Sequence, residues 1–167
     1  MTEALRTNRL TLRRFCAADA PDVTRYMQDP GVASMLTQVP WPYALSDAEE
    51  FICRYADDAP THFAVVHDGA LIGAISLAQQ LGYWYARPAW GQGFATEAAQ
   101  ALLTRHFAAS SETVVSGHLT DNPASRRVLQ KLGFRDDTRR QLRIASRTEE
   151  VTLQRMTLTQ SDWEAAT

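Results

Sequence analysis

The segment LGYWYARPAWGQGFATEAAQALL, residues 81–103, restricts the folds open to this chain more than any other stretch. LGYWYA reads as a short strand that Arg87-Pro88 brings to an end. From Gly93 to Phe107 the alanines and leucines recur in a long helical pattern, and TVVSGHL beyond it reads as another strand. Strand, helix, strand in that order predicts a parallel pair inside an otherwise antiparallel sheet, with helices on both faces.

The remaining elements fit around that unit. Leu10, Leu12 and Phe15 lie in a short extended run rich in Leu, Thr and Arg, which predicts a first strand. Asp19 as cap, Pro21 in the first turn, and Ala20, Val23 and Met27 at helical spacing predict a first helix that Pro30-Gly31 stops. Ser46 with Glu49 forms the pattern of a capping box, and Ala48, Phe51, Ile52 and Tyr55 make one apolar stripe behind it. HFAVVHDGALIGAISLA predicts a hairpin, since Asp68-Gly69 tolerates the positive φ of a tight turn. Asn122 or Asp121 caps a further helix with Pro123 at its first position; Ala124, Val128 and Leu132 lie along one face until Gly133 ends it. Two strands close the chain, near residues 139–146 and 150–159. The expectation is one α/β domain over residues 1–167, with a mostly antiparallel seven-stranded sheet and one central parallel pair.

A chain of 167 residues buries roughly 70 % of its unfolded surface, enough for one core. A net charge of −2 provides no basic field for nucleic acid or an anionic membrane. No stretch has signal-peptide character, and none approaches the roughly 20 apolar residues needed to span a bilayer, so a cytoplasmic location is expected. Cys16 and Cys53 read as half-buried thiols, outside any disulfide or metal spacing. His62, His67, His106 and His118 are scattered likewise, and no metal is expected.

Chemistry concentrates where the first strand of the central unit enters its helix. Gly91 and Gly93 let a ligand approach the backbone, and the first-turn N–H groups with the helix dipole form an anion site suited to a phosphate-bearing cofactor. A short Gly-x-Gly also suits an ordinary strand-to-helix turn. The lysine and spacing of a P-loop are missing, as is the third glycine of a dinucleotide fingerprint, so neither NTP hydrolysis nor hydride transfer is supported.

The second informative stretch is LTDNPASRRVLQKLGF. Together the two segments resemble the Gcn5-related N-acetyltransferases (GNAT), more closely their RimJ/RimL-like branch of ribosomal-protein N-terminal acetyltransferases. LRTNRLTLRRF, Asp29-Pro30, Pro40-Trp41-Pro42-Tyr43, Leu71-Ile72-Gly73 and RMTLTQSDW look like that branch too, so the resemblance covers nearly the whole chain. It implies that Trp90, Gly91, Gln92, Gly93, Phe94, Ala95 and Thr96 hold the pyrophosphate of coenzyme A. It further implies that Asn122, Ser125 and the backbone of Trp84, Tyr85 and Ala86 lie along the pantetheine arm. Two positions depart from the pattern: Trp90 stands where many relatives have arginine or glutamine, and Gln80 where many in this branch carry a glutamate able to act as base.

The implied reaction moves an acetyl group from acetyl-CoA to a primary amine, on a protein N-terminus or a small molecule, by direct attack in a ternary complex. Ser125, in the first turn of its helix, is the candidate proton donor to the departing thiolate. His118 is the candidate base, with an ordered water chain as the alternative. Glu97 reads as a structural acid complementing the helix dipole. Trp41 and Tyr43 read as acceptor-pocket walls or as packing anchors, and Arg139, Arg140 and Arg143 as a solvated strand face. A non-catalytic acyl-CoA-binding module is the competing reading, kept open by Gln80. No residue pattern encodes the amine acceptor or the choice between monomer and homodimer.

Overall fold

The computed structural model describes residues 4–55 and 61–167. The first sheet joins β1 (Leu5–Arg6), β2 (Thr11–Arg13), β3 (His62–His67), β4 (Ala70–Leu77) and β5 (Leu81–Tyr85) in that order, every pair antiparallel. The β3–β4 turn forms as expected, with Asp68 at φ 49° and Gly69 at φ 79°. Its strands present opposite faces by alternation. Ala64 and Ala74 meet Val23, Met27, Ala48 and Ile52, while Phe63 and Ile75 belong to a separate core with Leu102, Leu103 and Leu129.

Three helices cover the first of these faces: α1 (Ala20–Met27), α2 (Pro30–Ala33) and α3 (Leu45–Arg54). The other face carries α4 (Phe94–Ala109) and α5 (Pro123–Lys131). Leu103 and Leu129 are fully buried there, and truncating either to Ala would cost about 2–5 kcal/mol in lost transfer and cavity. A second sheet orders β6 (Val114–Leu119), β8 (Val151–Leu158) and β7 (Arg135–Leu142), again antiparallel. Its 143–150 connection reaches back to the α2 end. Ser146 Oγ donates to the Ala33 carbonyl at 3.1 Å and Arg147 Nε to that of Ser34 at 2.9 Å.

Several expectations need correction. Among the described residues eight strands form rather than seven, and the central pair, β5 and β6, touch without sharing a ladder, so the sheet is split at that point. Leu81 at the start of β5 meets Ser116 of β6, and Tyr83 meets Ser125 beyond the end of β6, so the two strands do run in the same direction. Asp19 occupies the N-cap position of α1, but its side chain bonds none of that helix's amides; its carboxylate takes two hydrogen bonds from Arg13 and one from the Cys16 amide, bracing the turn before the helix. The first helix does end ahead of Pro30, at Met27, but Pro30 also opens α2, because the Asp29 carboxylate accepts from Gly31 N at 2.8 Å. The Ser46/Glu49 pattern is two residues late: α3 starts at Leu45, and Asp47 accepts from the Ala44 amide at 2.7 Å.

Other differences are smaller. Both cysteines are exposed, and so is Ala124, leaving Leu129 and Leu132 as the buried anchors of α5. A sixth helix, α6 (Gln160–Ala166), starts where the Thr159 hydroxyl accepts from Asp162 N, and its Trp163 stacks on Phe107 at 6.1 Å. Arg139, Arg140 and Arg143 are exposed, as a solvated strand face requires.

Candidate active site

The split between β5 and β6 opens the backbone of β5 on one side. Ala86 N donates to the Ile72 carbonyl at 2.9 Å, so alternation turns the even-numbered backbone groups of β5 toward β4. The odd-numbered ones face β6, where Leu81 O accepts from Ser116 Oγ at 2.8 Å and Tyr85 O accepts from the Trp90 indole at 2.7 Å. Trp84 and Ala86, expected to offer their backbone to the pantetheine arm, are therefore directed the other way. Tyr83 and Tyr85 are the residues at that edge.

Side chains from two elements meet across the split. The Tyr83 hydroxyl lies 2.8 Å from Ser125 Oγ and 3.4 Å from the Ser125 carbonyl. Asn122 holds the α5 start that places this serine, its Oδ1 accepting from Ser125 N at 3.1 Å. Burial pushes the Tyr83 phenol up to about 12, the bond to Ser125 opposing it, so the phenol stays protonated at neutral pH.

The loop into α4 has the backbone expected of a ligand cradle. Gly91 at φ 73° and Gly93 at φ 80° are left-handed, and a Cβ added at Gly91 would meet no atom within 4 Å. Gly93 caps α4 without any side chain, so its first-turn amides at Phe94, Ala95 and Thr96 have no internal cap. The loop is braced from outside. Gln92 Nε2 donates to Pro88 O at 2.7 Å, and Arg9 Nη1 donates to Gln92 O at 3.0 Å. Arg9 also pairs with Glu97 at 2.7 Å and lies 4.5 Å over the Phe94 ring. Burial would raise the Glu97 carboxyl, but hydrogen bonds from Thr7 and Arg9 outweigh it and hold the group low. Glu97 ties the β1–β2 turn to α4.

On the α1–α3 side a cleft of about 420 Å³ opens over the sheet. Tyr43, Phe51, His62, Ser76, Gln80 and Trp84 are among its walls, while Trp41 is not. His118 is also absent from the wall. It is buried opposite Gln154 of β8, its Nδ1 lies 2.8 Å from the Leu119 carbonyl, and its Nε2 has no hydrogen-bond partner among the described residues. Strand alternation has directed this side chain into the interior, so the structure does not bring the expected base to the cleft.

The acetyltransferase (GNAT) domain family matches residues 9–135, about three quarters of the chain. The chain belongs to the GNAT acetyltransferase family. The uncharacterized N-acetyltransferase p20 of Bacillus licheniformis is 27% identical over 150 residues, spanning 81% of this chain and 84% of that protein. A GNAT-family acetyltransferase from Bacillus anthracis has the same fold, with a TM-score of 0.82 at 21% identity over 95% of this chain and 99% of the other. The ribosomal-protein alpha-N-acetyltransferase RimL, solved with coenzyme A, gives a TM-score of 0.74 at 16% identity over 92% and 97%. At such identities the structural likeness speaks for the fold alone.

As a GNAT member the chain is an acetyl-CoA-dependent acetyltransferase. Its uncapped α4 start and open Gly91 fit the phosphates of that donor. Two residues near the site escaped the sequence reading. Tyr83 looked like one more aromatic on a strand, and only the split beside β5 shows that its hydroxyl reaches α5. Arg9 lies 88 positions from Glu97 in sequence, and no local spacing announces their pairing. Among the described residues no group of His, Cys, Asp and Glu is arranged to hold a metal, and no helix is long and apolar enough to cross a membrane.

Proposed function

We propose that this GNAT acetyltransferase transfers the acetyl group of acetyl-CoA to a primary amine by direct attack within a ternary complex. The observation that carries the reading is the Ser125 hydroxyl, held between Asn122 and Tyr83 at the split beside β5. A donor entering over the α4 start and an acceptor entering from the 420 Å³ cleft converge on that split from opposite sides of the first sheet.

Each group has a task in this scheme. The amides of Phe94, Ala95 and Thr96, with the loop from Trp90 to Gly93, bind the pyrophosphate of the donor, and Arg9 adds a nearby cation. The β6-facing backbone of Tyr83 and Tyr85 holds the pantetheine arm as a missing strand would. Acetyl-CoA supplies the activated carbonyl. Ser125 delivers its proton to the departing thiolate and takes the remaining proton of the attacking nitrogen as the tetrahedral intermediate collapses, while Tyr83, a protonated phenol, orients that hydroxyl.

The RimL complex with coenzyme A supports the donor. Acceptors of two kinds fit a cleft of this size, a peptide N-terminus and a small amine. A non-catalytic acyl-CoA sensor remains the second reading because Gln80, which cannot accept a proton, lines the cleft at the position where the resemblance implies a glutamate in many relatives. Thiol release from acetyl-CoA across peptides with free N-termini, amino acids, polyamines and aminosugars decides between them. Amine-dependent release supports transfer, and donor binding with no release for any amine supports the sensor.

A further inference from the structure

We propose that His62 receives the proton of the acceptor amine, through the Ser76 hydroxyl and a water seated over Gly82. This deepens the acetyl transfer proposed above and rests on it.

The strand registers carry the argument. His62 of β3 pairs with Ser76 of β4, and Ser76 pairs with Gly82 of β5, so the three form one row across the sheet. Cross-strand partners share a face. That face is the cleft face, since His62, Ser76 and Gly82 all line the cavity. With neighbouring strands roughly 4.8 Å apart, the imidazole strand lies about 10 Å from β5, too far for direct contact and within reach of a short relay. Gly82 leaves the space the relay needs, for an added Cβ would find only Ser76 Oγ nearby, at 3.3 Å.

The histidine is held in place. Its ring stacks on Tyr55 at 3.6 Å and 21°, meets the edge of Phe51 at 6.1 Å, and keeps Nδ1 3.0 Å from the Thr61 hydroxyl. Nδ1 is thereby occupied and Nε2 is left for the transferred proton. Burial lowers its pKa from the ordinary histidine value, which keeps the ring neutral and able to accept a proton at pH 7. The charged neighbours on α3 do not reverse this. Glu50 pairs with Arg54, Asp47 is bound to the Ala44 amide, and Tyr43 and Tyr55 contribute phenols. Among the described residues, the strands and the β4–β5 turn contribute Thr61, Ser76 and Gln80 to this surround, none of them charged.

The proton count closes without a co-reactant. The ammonium gives one proton to the water, the water gives one to Ser76 Oγ, and the serine gives its own to His62 Nε2, leaving a neutral amine. The imidazolium discharges to solvent through the open cleft after each turnover.

The test is kcat/KM against pH for the parent, His62→Gln, His62→Ala and Ser76→Ala, with acetyl-CoA and the amine panel named above. Thermal stabilisation by coenzyme A is read in parallel to show an intact donor site. The parent is expected to show an acidic limb that His62→Gln removes, with kcat/KM lower by on the order of 10²-fold. Added imidazole should restore part of the rate to His62→Ala, and Ser76→Ala should slow turnover while keeping the limb. An unchanged limb in His62→Gln, with an active parent, overturns the relay alone. A parent that binds coenzyme A and acetylates no amine overturns the proposed transfer and the relay with it.

Discussion

The Tyr83 hydroxyl and Ser125 Oγ lie 2.8 Å apart, joining β5 to the first turn of α5 across the split in the sheet. Neither strand nor helix alone would hold the serine there. If Ser125 acts as proposed, Ser125→Ala lowers kcat by on the order of 10²-fold with little change in the KM for acetyl-CoA, because the proposed proton donor is used only in the transition state. Tyr83→Phe keeps the ring and loses the orienting bond, so its kcat should fall by a smaller factor, roughly 3- to 10-fold. Steady-state kinetics with a saturating amine check both, and an unaltered kcat in Ser125→Ala where chemistry limits turnover removes the serine from the mechanism.

The α4 start offers a substitution that tests the anion site. Ala95→Asp places a carboxylate in the first turn, where the helix dipole favours it by about 0.3–1 kcal/mol while the donor's phosphates are repelled. Because Ala95 is half-buried against the core beneath α4, the free variant should melt somewhat below the parent temperature, and it should lose its stabilisation by coenzyme A. Gly93 is a poorer probe, because its φ of 80° makes any side chain strained whether or not phosphate binds. Differential scanning fluorimetry with and without coenzyme A reads the outcome.

Much of the fold is legible because local chemistry and tertiary demand agree. Asp68-Gly69 between two β-rich runs leaves little but a tight hairpin, and Asn122-Pro123 allows little but a helix start. Legibility fails where a residue answers to a distant partner. Asp19 has the look of a cap, yet Arg13 and the Cys16 amide take its carboxylate. Thr159 and Asp162 do form a cap signature, hidden because the strand before it continues the same apolar pattern up to Leu158. The site divides in the same way. The glycine loop and Asn122 are local motifs, whereas Tyr83, Arg9 and the direction of His118 depend on how strands alternate and where the sheet divides.

Asp29 links α2 to the loop before α4 through a two-point ion pair with Arg87. Hydrogen bonding from Arg87, against a smaller effect of burial, holds the Asp29 carboxyl down at about 2, below its usual 3.8. A depressed carboxylate stabilises the fold above the unfolded value and ceases to do so as the pH falls through the folded one. Parent stability should therefore drop between about pH 4 and pH 2 more steeply than that of Asp29→Asn. Asp19, Glu97 and Asp162 titrate low in both proteins, so the difference between the two melting curves isolates Asp29.

Gly73 supports the site from the neighbouring strand. A Cβ there would collide with the Trp84 carbonyl and approach the Tyr85 ring to 2.7 Å, and the carbonyl is backbone that cannot swing away. Gly73→Ala should destabilise by about 1–3 kcal/mol and displace β5, raising the KM for acetyl-CoA as well. Denaturant unfolding together with donor saturation curves measures the two effects.

The central claim is that donor and amine meet at the split beside β5 and that the acetyl group crosses there. Thiol release from acetyl-CoA, with mass spectrometry of the amine product, measures this most directly across the amine panel. The account predicts amine-dependent thiol release matched one for one by an N-acetylated product, strongly reduced in Ser125→Ala. Coenzyme A binding without acetylation of any amine, or a Ser125→Ala variant as fast as the parent when chemistry limits turnover, would contradict it.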